Sequence, residues 1–516
     1  MTHSPSPAEA QAVPGWRPVR RAQRSLVDQL ADHIAGQIRN HGLRPGMRLP
    51  SVRAMAAEAG VSRFTVVQAY DQLVALGLIQ SRKGSGFYVA AQPAFEAPAR
   101  RDDTRLEVDS AFDTAFLLRS MFRSDGRQAM AGNAGLLPAE WLDSDMVAAA
   151  VRSVGRSLSV GVVGYGDPQG YRGLRQRVAS MLQAQDMPAH PDHNLMTVAG
   201  VTQGLDLIAR SLLRPGDVVL VEDPGWFLIF GRLAAYGVRV VGVPRRADGP
   251  DTAKLAELAR SLRPRLFIVN TAVHNPTGFT LSAGVAHEVL RIAERYDFLV
   301  AEDDTYSDFH PGTPLRLATL DRLDRVILVG GFSKTLAASL RVGYIATHPQ
   351  RLRQFIDMKL LCGLTTPELG EQVVSRVLAE GKYRRHIERL RARVDQARHQ
   401  CLARLAELQC QPWQPPHAGM FVWVDTGVDT EVLARRAAAR GVLFAPGVLF
   451  SPEQKASSWM RLPVSMVDDP ASWATLRALL AAARGDQAAG QPSRSASRAY
   501  TSPASAMSSR PTPTAL

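Results

Sequence analysis

The stretch 330–344 reads "GGFSKTLAASLRVGY" and contains Lys334, one of only six lysines in a chain rich in arginine. It follows the apolar run "RVILV" (325–329), so Lys334 falls where a buried strand is expected to end. Similar runs occur earlier in the chain, such as "RLFIVNTA" (265–272), and stretches of helix length such as "AGVAHEVLRIAERY" (283–296) separate them. Continuous apolar strands alternating with helices predict an α/β fold with a mostly parallel sheet covered on both faces.

Two familiar kinds of lysine site do not match this stretch. A phosphate-binding P-loop needs glycine directly before its lysine, and residue 333 is Ser. A site of the penicillin-binding type needs Ser three residues before its lysine, and Gly331 occupies that position. Taken alone, Lys334 could also be an exposed lysine after a strand, which is where most lysines lie. The residues that accompany it therefore have to decide its role.

Length and charge limit the possible classes of protein. A chain of 516 residues predicts two or more domains, and a net charge of +13 suits a polyanionic partner. Three cysteines without paired spacing argue against a disulfide framework or a zinc site and favour a reducing compartment, so we expect the cytoplasm. No apolar run has the length of a signal peptide core or a membrane span, so we expect no membrane association.

Changes in composition along the chain indicate the domain boundaries. Segments rich in Pro, Ser and Ala bury too little apolar surface to fold, and we interpret them as tails or a linker. After about residue 365 the pattern of the long module becomes more helical, which suggests a smaller C-terminal subdomain. The predicted organisation is a disordered tail (1–20), a short module (21–90), a linker (91–125), a long module (126–484) and a second disordered tail (485–516).

The short module has the pattern of two helices and a β-hairpin. Ser51 and Ser62 are good N-cap residues for two successive helices, and a tight turn at Gly60 joins them. The stretch "IQSRKGSGFYV" (79–89) then predicts a two-stranded wing. Nine basic and four acidic residues between 21 and 90 favour binding to the DNA backbone. A second helix with Arg and Gln near its start suits entry into a major groove.

This module resembles the GntR family of winged helix-turn-helix regulators. The resemblance rests on "RPGMRLPSVRAMA" (44–56), "GVSRFTVVQAYDQL" (60–73) and "GSGFYV" (84–89). It implies that Arg53, Arg63, Thr65 and Gly84 lie nearest to double-stranded DNA. A small helical domain that binds protein or only packs is the alternative. The predicted DNA-contacting residues are Arg53, Ser62, Arg63, Thr65, Gln68, Arg82, Lys83 and Gly84.

The long module offers the groups that pyridoxal 5'-phosphate needs in order to bind. Lys334 could supply an amine for a Schiff base, and Asp303 could hold the pyridine nitrogen protonated. Tyr306 and Asn275 could donate hydrogen bonds to the phenolate oxygen of the ring. All four follow apolar runs, and the carboxyl ends of parallel strands are where open α/β sheets bind ligands.

Further residues suit the rest of the cofactor and an amino acid. Val201 and Thr202 begin a helix after a glycine turn, so their N–H groups could bind the phosphate, with Arg341 as a charged partner. Trp226 could lie flat on the ring. Arg461 could bind the carboxylate of an amino acid effector. Each residue alone is a weak signal, and their joint occurrence carries the prediction.

The order of these residues resembles the aspartate aminotransferase superfamily, the fold-type I pyridoxal phosphate enzymes, over residues 126–484. The resemblance implies that Lys334 is the Schiff-base lysine and that the other residues have the roles given above. It also implies that Tyr165, in "GYGDPQGYRGLR" (164–175), reaches the phosphate of a neighbouring subunit, and hence a homodimer. Gly331 departs from the pattern, because the family often has Ser or Thr there; Ser333 could compensate.

The two resemblances together are those of the MocR subfamily of bacterial transcription regulators. The predicted fold is multidomain, a winged helix-turn-helix followed by an α/β aminotransferase-like domain. The predicted function is a regulator that binds pyridoxal phosphate and DNA and responds to an amino compound or to the cofactor itself. A working aminotransferase with a vestigial DNA-binding module remains open. So does a DNA-binding protein whose long module only dimerises.

Overall fold

The computed structural model divides the chain into two compact units, residues 1–110 and 111–516. The division falls inside the predicted linker (91–125), which itself lies outside the described residues, as does nearly all of the predicted N-terminal tail. The structure describes Pro18, residues 25–39, Leu43, and residues 45–82, 84–90, 135–157 and 164–490.

The first unit contains three helices and a two-stranded antiparallel sheet. Their bounds are α1 (Leu26–Arg39), α2 (Val52–Ala59), α3 (Arg63–Ala75), β1 (Ile79–Arg82) and β2 (Gly86–Val89). The predicted order of two capped helices followed by a wing is therefore confirmed.

Local hydrogen bonds explain why α2 and α3 start and stop where they do. The Ser51 hydroxyl accepts from the N–H of Ala54 at 3.2 Å, and Gly60 ends α2 in the left-handed conformation with φ of 65°. The Ser62 hydroxyl starts α3 by accepting from the N–H of Thr65 at 3.0 Å. The inner face of α3 then buries Tyr70 in the core of the module, where its hydroxyl donates to the carbonyl of Pro50.

The second unit is built on an eight-stranded sheet. Its strands are β3 (Leu195–Val198), β4 (Val218–Asp223), β5 (Arg239–Arg246), β6 (Gly249–Pro250), β7 (Leu266–Val269), β8 (Leu299–Asp303), β9 (Val326–Gly331) and β10 (Gly343–Ala346). The spatial order is β3-β10-β9-β8-β7-β4-β5-β6. The strands run parallel except that β10 and β6 are antiparallel to their neighbours. The predicted mostly parallel sheet is confirmed.

Helices cover both faces of this sheet, which explains why its strands are apolar throughout. Along β9, Leu328 faces one core while Ile327 and Val329 face the other. One layer of helices consists of α4 (Ser144–Ser157), α5 (Arg172–Gln183), α8 (Thr252–Leu262), α9 (Ala283–Tyr296), α10 (Leu317–Asp321) and α12 (Glu368–Ala379). The opposite layer consists of α6 (Val201–Leu212), α7 (Phe227–Ala235) and α11 (Pro349–Gly363).

The predicted C-terminal subdomain has its own sheet and core. The antiparallel strands β11 (Gln411–Pro412), β12 (Phe421–Asp425), β13 (Ala445–Pro446) and β14 (Trp459–Pro463) are arranged in the order β11-β12-β14-β13. They pack with α13 (Lys382–Glu407), α14 (Thr430–Ala438) and α15 (Pro470–Gly490).

The end of α15 differs in one respect from the sequence prediction. The helix continues to Gly490, so it overlaps the start of the segment predicted as a tail from residue 485. Ala and Gln in "GDQAAG" (485–490) are good helix formers, which allows the helix to run on. Among the described helices, none is both long enough and apolar enough to cross a membrane.

Candidate functional site

The predicted cofactor residues meet in a cavity at the carboxyl ends of β8 and β9. These two strands are parallel neighbours, so Asp303 at the end of one lies beside the segment that leads to Lys334. The fold thus brings together eight of the ten predicted cofactor residues, and Asn275 lies next to them. The cavity is lined by Val201, Thr202, Trp226, Asp303, Thr305, Tyr306, Gly331, Ser333, Lys334 and Arg341.

Lys334 lies inside the cavity in surroundings that make its neutral amine easier to form than that of a lysine in water. Its Nζ donates a hydrogen bond to the carbonyl oxygen of Gly135 at 2.7 Å. Burial lowers the pKa of Lys334 to about 8, and the positive charge of Arg461 acts in the same direction. Because only a neutral amine attacks a carbonyl carbon, this environment prepares Lys334 as a nucleophile.

Asp303 is a buried carboxyl group with few partners for its charge. Burial raises the pKa of Asp303 to about 6, although the N–H of Thr305 donates to Oδ1 at 2.9 Å and favours the charged form. A cationic ring nitrogen placed against Asp303 would offset this cost of burial. The carboxyl group therefore fits the role of a pyridinium partner.

A chain of hydrogen bonds joins the predicted carboxylate arginine to the predicted phenolate partners. Nη1 of Arg461 donates to Oδ1 of Asn275 at 3.1 Å, and Nδ2 of Asn275 donates to the hydroxyl of Tyr306 at 3.2 Å. The guanidinium of Arg461 also lies over the ring of Phe421, 4.2 Å from its centroid. Burial raises the pKa of Tyr306, so its phenol remains protonated and can donate. The three side chains are thus oriented together.

The start of α6 forms a site for an anion. Among the described residues, the N–H groups of Val201 and Thr202 have no acceptor, because Gly200 caps the helix without a side chain. Arg341 lies beside them, and its Nη2 donates to the carbonyl of Ala199 at 2.9 Å. A side chain at residue 200 would collide with this guanidinium, since a Cβ there would lie 2.9 Å from Nη2. This arrangement fits the phosphate group of the cofactor.

The space beside Gly331 is filled by Val201 and by the backbone of Val342. A Cβ at this position would lie 3.2 Å from Cγ2 of Val201 and 3.3 Å from the carbonyl oxygen of Val342. A side chain at residue 331 would therefore crowd the side chain of Val201. Glycine at residue 331 leaves room for the side chain of Val201.

Three residues of the site were missed by sequence reasoning. Nδ2 of Asn270 donates to the carbonyl of Asp303 at 2.7 Å, and its Oδ1 accepts from the N–H of Asn275 at 2.8 Å. Asn270 directly follows β7, so a polar residue after an apolar run was an available signal. Thr305 is two residues from Asp303 and could have been included on that ground, whereas nothing in the sequence marks Gly135.

Tyr165 lies outside the cavity and is 82% exposed. Its neighbour Gly166 packs against Glu368 at the start of α12, where a Cβ on Gly166 would lie 3.0 Å from Oε2 of the glutamate. Within the described chain, Tyr165 therefore contributes nothing to the cavity that holds Lys334.

The predicted DNA-contacting residues lie on one module, and three of them have partners within it. The guanidinium of Arg82 lies over the ring of Tyr88, 4.5 Å from its centroid. The hydroxyls of Ser62 and Thr65 hydrogen-bond to each other at 2.8 Å while Ser62 caps α3. Lys83 lies outside the described residues. The predicted residues that are exposed are Arg53, Ser62, Arg63, Gln68, Arg82 and Gly84.

Comparison with known families accounts for both units. Residues 135–472 match the family model described as aminotransferase class I and II, and residues 26–89 match the model described as bacterial regulatory proteins, gntR family. The chain belongs to the MocR subfamily. Both resemblances seen in the sequence are thereby confirmed. Membership implies dependence on pyridoxal phosphate and binding to DNA in this MocR-type chain.

Individual relatives share either the whole arrangement or the second unit alone. The HTH-type transcriptional regulator YisV of Bacillus subtilis, itself uncharacterized, is 26% identical over 459 residues, which cover 86% of this chain and 93% of its own. The probable rhizopine catabolism regulatory protein MocR of Rhizobium meliloti is 29% identical and covers 81% and 85%. The crystal structure of the multiple substrate aminotransferase from Thermococcus profundus has 28% identity and a TM-score of 0.66, covering 74% and 97%.

Proposed function

We propose that this MocR-type chain is a transcription regulator that binds pyridoxal 5'-phosphate and responds to an amino acid or a related amine. The observation that carries the proposal is the presence in one chain of a winged module with exposed basic residues and a cavity with a partly buried lysine of lowered pKa. Relatives named as regulators match this chain over both units, whereas the aminotransferase of known structure covers 74% of it. This difference favours regulation over a purely enzymatic role.

The residues of the cavity fit the proposed cofactor. Lys334 would attach it covalently, Asp303 would hold its ring nitrogen, and Tyr306 would bind its ring oxygen. The N–H groups at the start of α6 and the guanidinium of Arg341 would bind its phosphate. When bound, pyridoxal phosphate supplies an aldehyde carbon for an amine and a ring that withdraws electrons from it.

Arg461 and Gly135 define where an amino acid effector would lie. Arg461 is buried and positively charged, so it would bind a carboxylate with two parallel hydrogen bonds. A methyl group on Gly135 would stand 3.8 Å from Nη2 of Arg461, and the Gly135 carbonyl accepts from Lys334. Attachment of the cofactor to Lys334 would therefore break this hydrogen bond, and an amine that engages Arg461 and displaces Lys334 would allow it to form again.

A second set of contacts connects Lys334 with the small subdomain. The hydroxyl of the next residue, Thr335, hydrogen-bonds to the hydroxyl of Tyr383 at 2.8 Å, and Nε2 of His386 contacts the Thr335 carbonyl at 2.7 Å. Tyr383 and His386 belong to α13, the long helix of that subdomain. Movement of Lys334 on binding an amine would be transmitted to α13, and a ligand that favours one arrangement shifts the population towards it.

Exposed apolar residues near Tyr165 support the proposed homodimer. Leu361 is 83% exposed at the end of α11, and Leu364 and Leu369 are exposed after it. Gly166 packs on Glu368, so Tyr165 lies close to this patch. Several exposed leucines within one short stretch of chain are typical of an interaction surface. A second copy docked there would cover the leucines and give Tyr165 a place in the neighbouring subunit, as the family resemblance implies.

The test of the proposed function uses the purified full chain and a duplex that covers the DNA directly upstream of its own coding sequence. Visible absorption after addition of pyridoxal phosphate measures cofactor attachment, and DNA binding is measured with and without a panel of amino acids. We expect wild type to develop a cofactor band and to change its DNA affinity with at least one amino acid. Lys334→Ala should lose both responses, whereas Lys382→Ala, which removes an exposed lysine outside the cavity, should keep them.

Two results would contradict the proposal. Absence of a cofactor band in wild type would rule out the cofactor-dependent regulator. Sustained production of keto acid without binding to the upstream duplex would favour the alternative of a working aminotransferase, since Lys334 could also transfer a proton at the substrate carbon.

A further inference from the structure

Phe64 is an exposed aromatic side chain at the start of α3. It is 69% exposed, while Val66, Ala69, Tyr70 and Leu73 of the same helix are buried in the core of the module. Phe64 therefore contributes little to the stability of the module. A large apolar side chain left in solvent at this position needs another explanation.

The polar groups around Phe64 show which functional groups α3 offers to a partner. Ser62 and Thr65 use their hydroxyls on each other and on the helix cap. Arg63 and Gln68 remain exposed, and Gln68 lies one turn after Phe64 on the same face. The outward surface of the first two turns therefore includes a cation, an amide and an aromatic ring.

The charge of the surrounding surface identifies the partner as a polyanion. Arg53 precedes α3 on the neighbouring helix, Arg63 flanks Phe64, and Arg82 lies on the wing; all three are exposed. A helix of this kind enters the major groove of DNA with its N-terminal residues at the base edges. The 5-methyl group of thymine is the apolar group in that groove, and contact with Phe is one of the ways in which it is recognised.

We propose that Phe64 packs against the 5-methyl group of a thymine in the major groove and thereby sets a thymine at that position of each half-site. The inference rests on the proposed binding of DNA and adds a residue that determines its specificity. Arginines that contact the DNA phosphates cannot distinguish one base from another, because phosphates are the same at every position. Phe64 would make the contact that does distinguish a base.

The experiment compares two forms of the upstream duplex, one with thymine and one in which every thymine is replaced by uracil, which lacks the methyl group. We expect wild type to bind the uracil duplex about fourfold more weakly for each methyl group that Phe64 would otherwise cover, or roughly fifteenfold for a dimer on two half-sites. Phe64→Ala should bind the thymine duplex more weakly by a similar factor and should no longer distinguish the two duplexes.

Leu76→Ala is the matched control. Leu76 is 63% exposed and lies at the opposite end of α3, so its truncation removes exposed apolar surface without touching the first turn. This variant should keep the preference of wild type for thymine. Because uracil also changes the flexibility of the duplex, the decisive quantity is the loss of discrimination in Phe64→Ala relative to wild type and Leu76→Ala.

Three results would overturn the inference, and they are distinguishable. An equal thymine preference in wild type and Phe64→Ala would exclude the methyl contact while leaving DNA binding intact. A Phe64→Ala variant that changes self-association in sedimentation, with unchanged discrimination, would assign the ring to a protein partner. Failure of wild type to bind either duplex would refute the proposed function together with this inference.

Discussion

The ionisation of Lys334 offers the most direct test of the cavity. With its pKa lowered to about 8, half of the amine is neutral at pH 8. An ordinary lysine with a pKa near 10.5 is only about 0.3% neutral at that pH, so the neutral fraction of Lys334 is roughly 150-fold larger. Burial removes water from the protonated amine and makes that form less stable. Lys334 therefore loses its proton at a lower pH than a lysine in water does.

Trace acetylation measures this ionisation residue by residue. The protein is first freed of carbonyl compounds by dialysis against hydroxylamine, then treated with a small amount of acetic anhydride between pH 6 and 11, and each lysine is quantified by mass spectrometry. We expect the reactivity of Lys334 to rise with a midpoint of about 8. Lys254, an exposed lysine in the same chain, serves as the internal standard for the reagent.

A charge variant separates the effect of burial from that of the neighbouring arginine. Arg461→Met removes the positive charge that helps to lower the pKa of Lys334, so the midpoint should move to higher pH. Arg477→Met, which removes an exposed arginine on α15, should leave the midpoint of Lys334 unchanged. A wild-type midpoint near 10.5, or a downward shift in Arg461→Met, would refute the account of the cavity as a desolvated site with excess positive charge.

Two further substitutions test the support of the cofactor site. Asn270→Ala removes the hydrogen bonds to the Asp303 carbonyl and the Asn275 N–H. Because buried hydrogen bonds contribute ~1–2 kcal/mol, we expect the affinity for pyridoxal phosphate to fall about 10-fold, as measured by fluorescence titration. An unchanged affinity would show that strand ends alone orient these groups. Gly331→Ser alone should weaken cofactor binding because its Cβ crowds Val201. The double variant Gly331→Ser, Val201→Ala should bind the cofactor more tightly than Gly331→Ser alone. Equal affinities of these two variants would contradict the steric explanation.

The sequence was sufficient to predict both folds and most of the cavity. Lys334 and Asp303 each follow an apolar run, and parallel strands bring their carboxyl ends to the same edge of a sheet. Ser51 and Ser62 likewise predict the starts of two helices, because capping is a local interaction that spans three residues. Predictions of this kind succeed where the physical cause is a strand, a turn or a helix end within a short segment.

Contacts between distant segments were decided only by the tertiary structure. The hydrogen bond from Lys334 to the carbonyl of Gly135 joins residues 199 positions apart, and the lowered pKa of Lys334 arises from burial and from Arg461, which belongs to another subdomain. The close fit of Val201 to Gly331 has the same origin. Desolvation and packing depend on every segment that surrounds a group, so their magnitude cannot be deduced from the residues beside it in the chain. The sequence indicated most of the side chains that line the cavity, and the tertiary structure determined their burial, their hydrogen-bond partners and the direction of their pKa shifts.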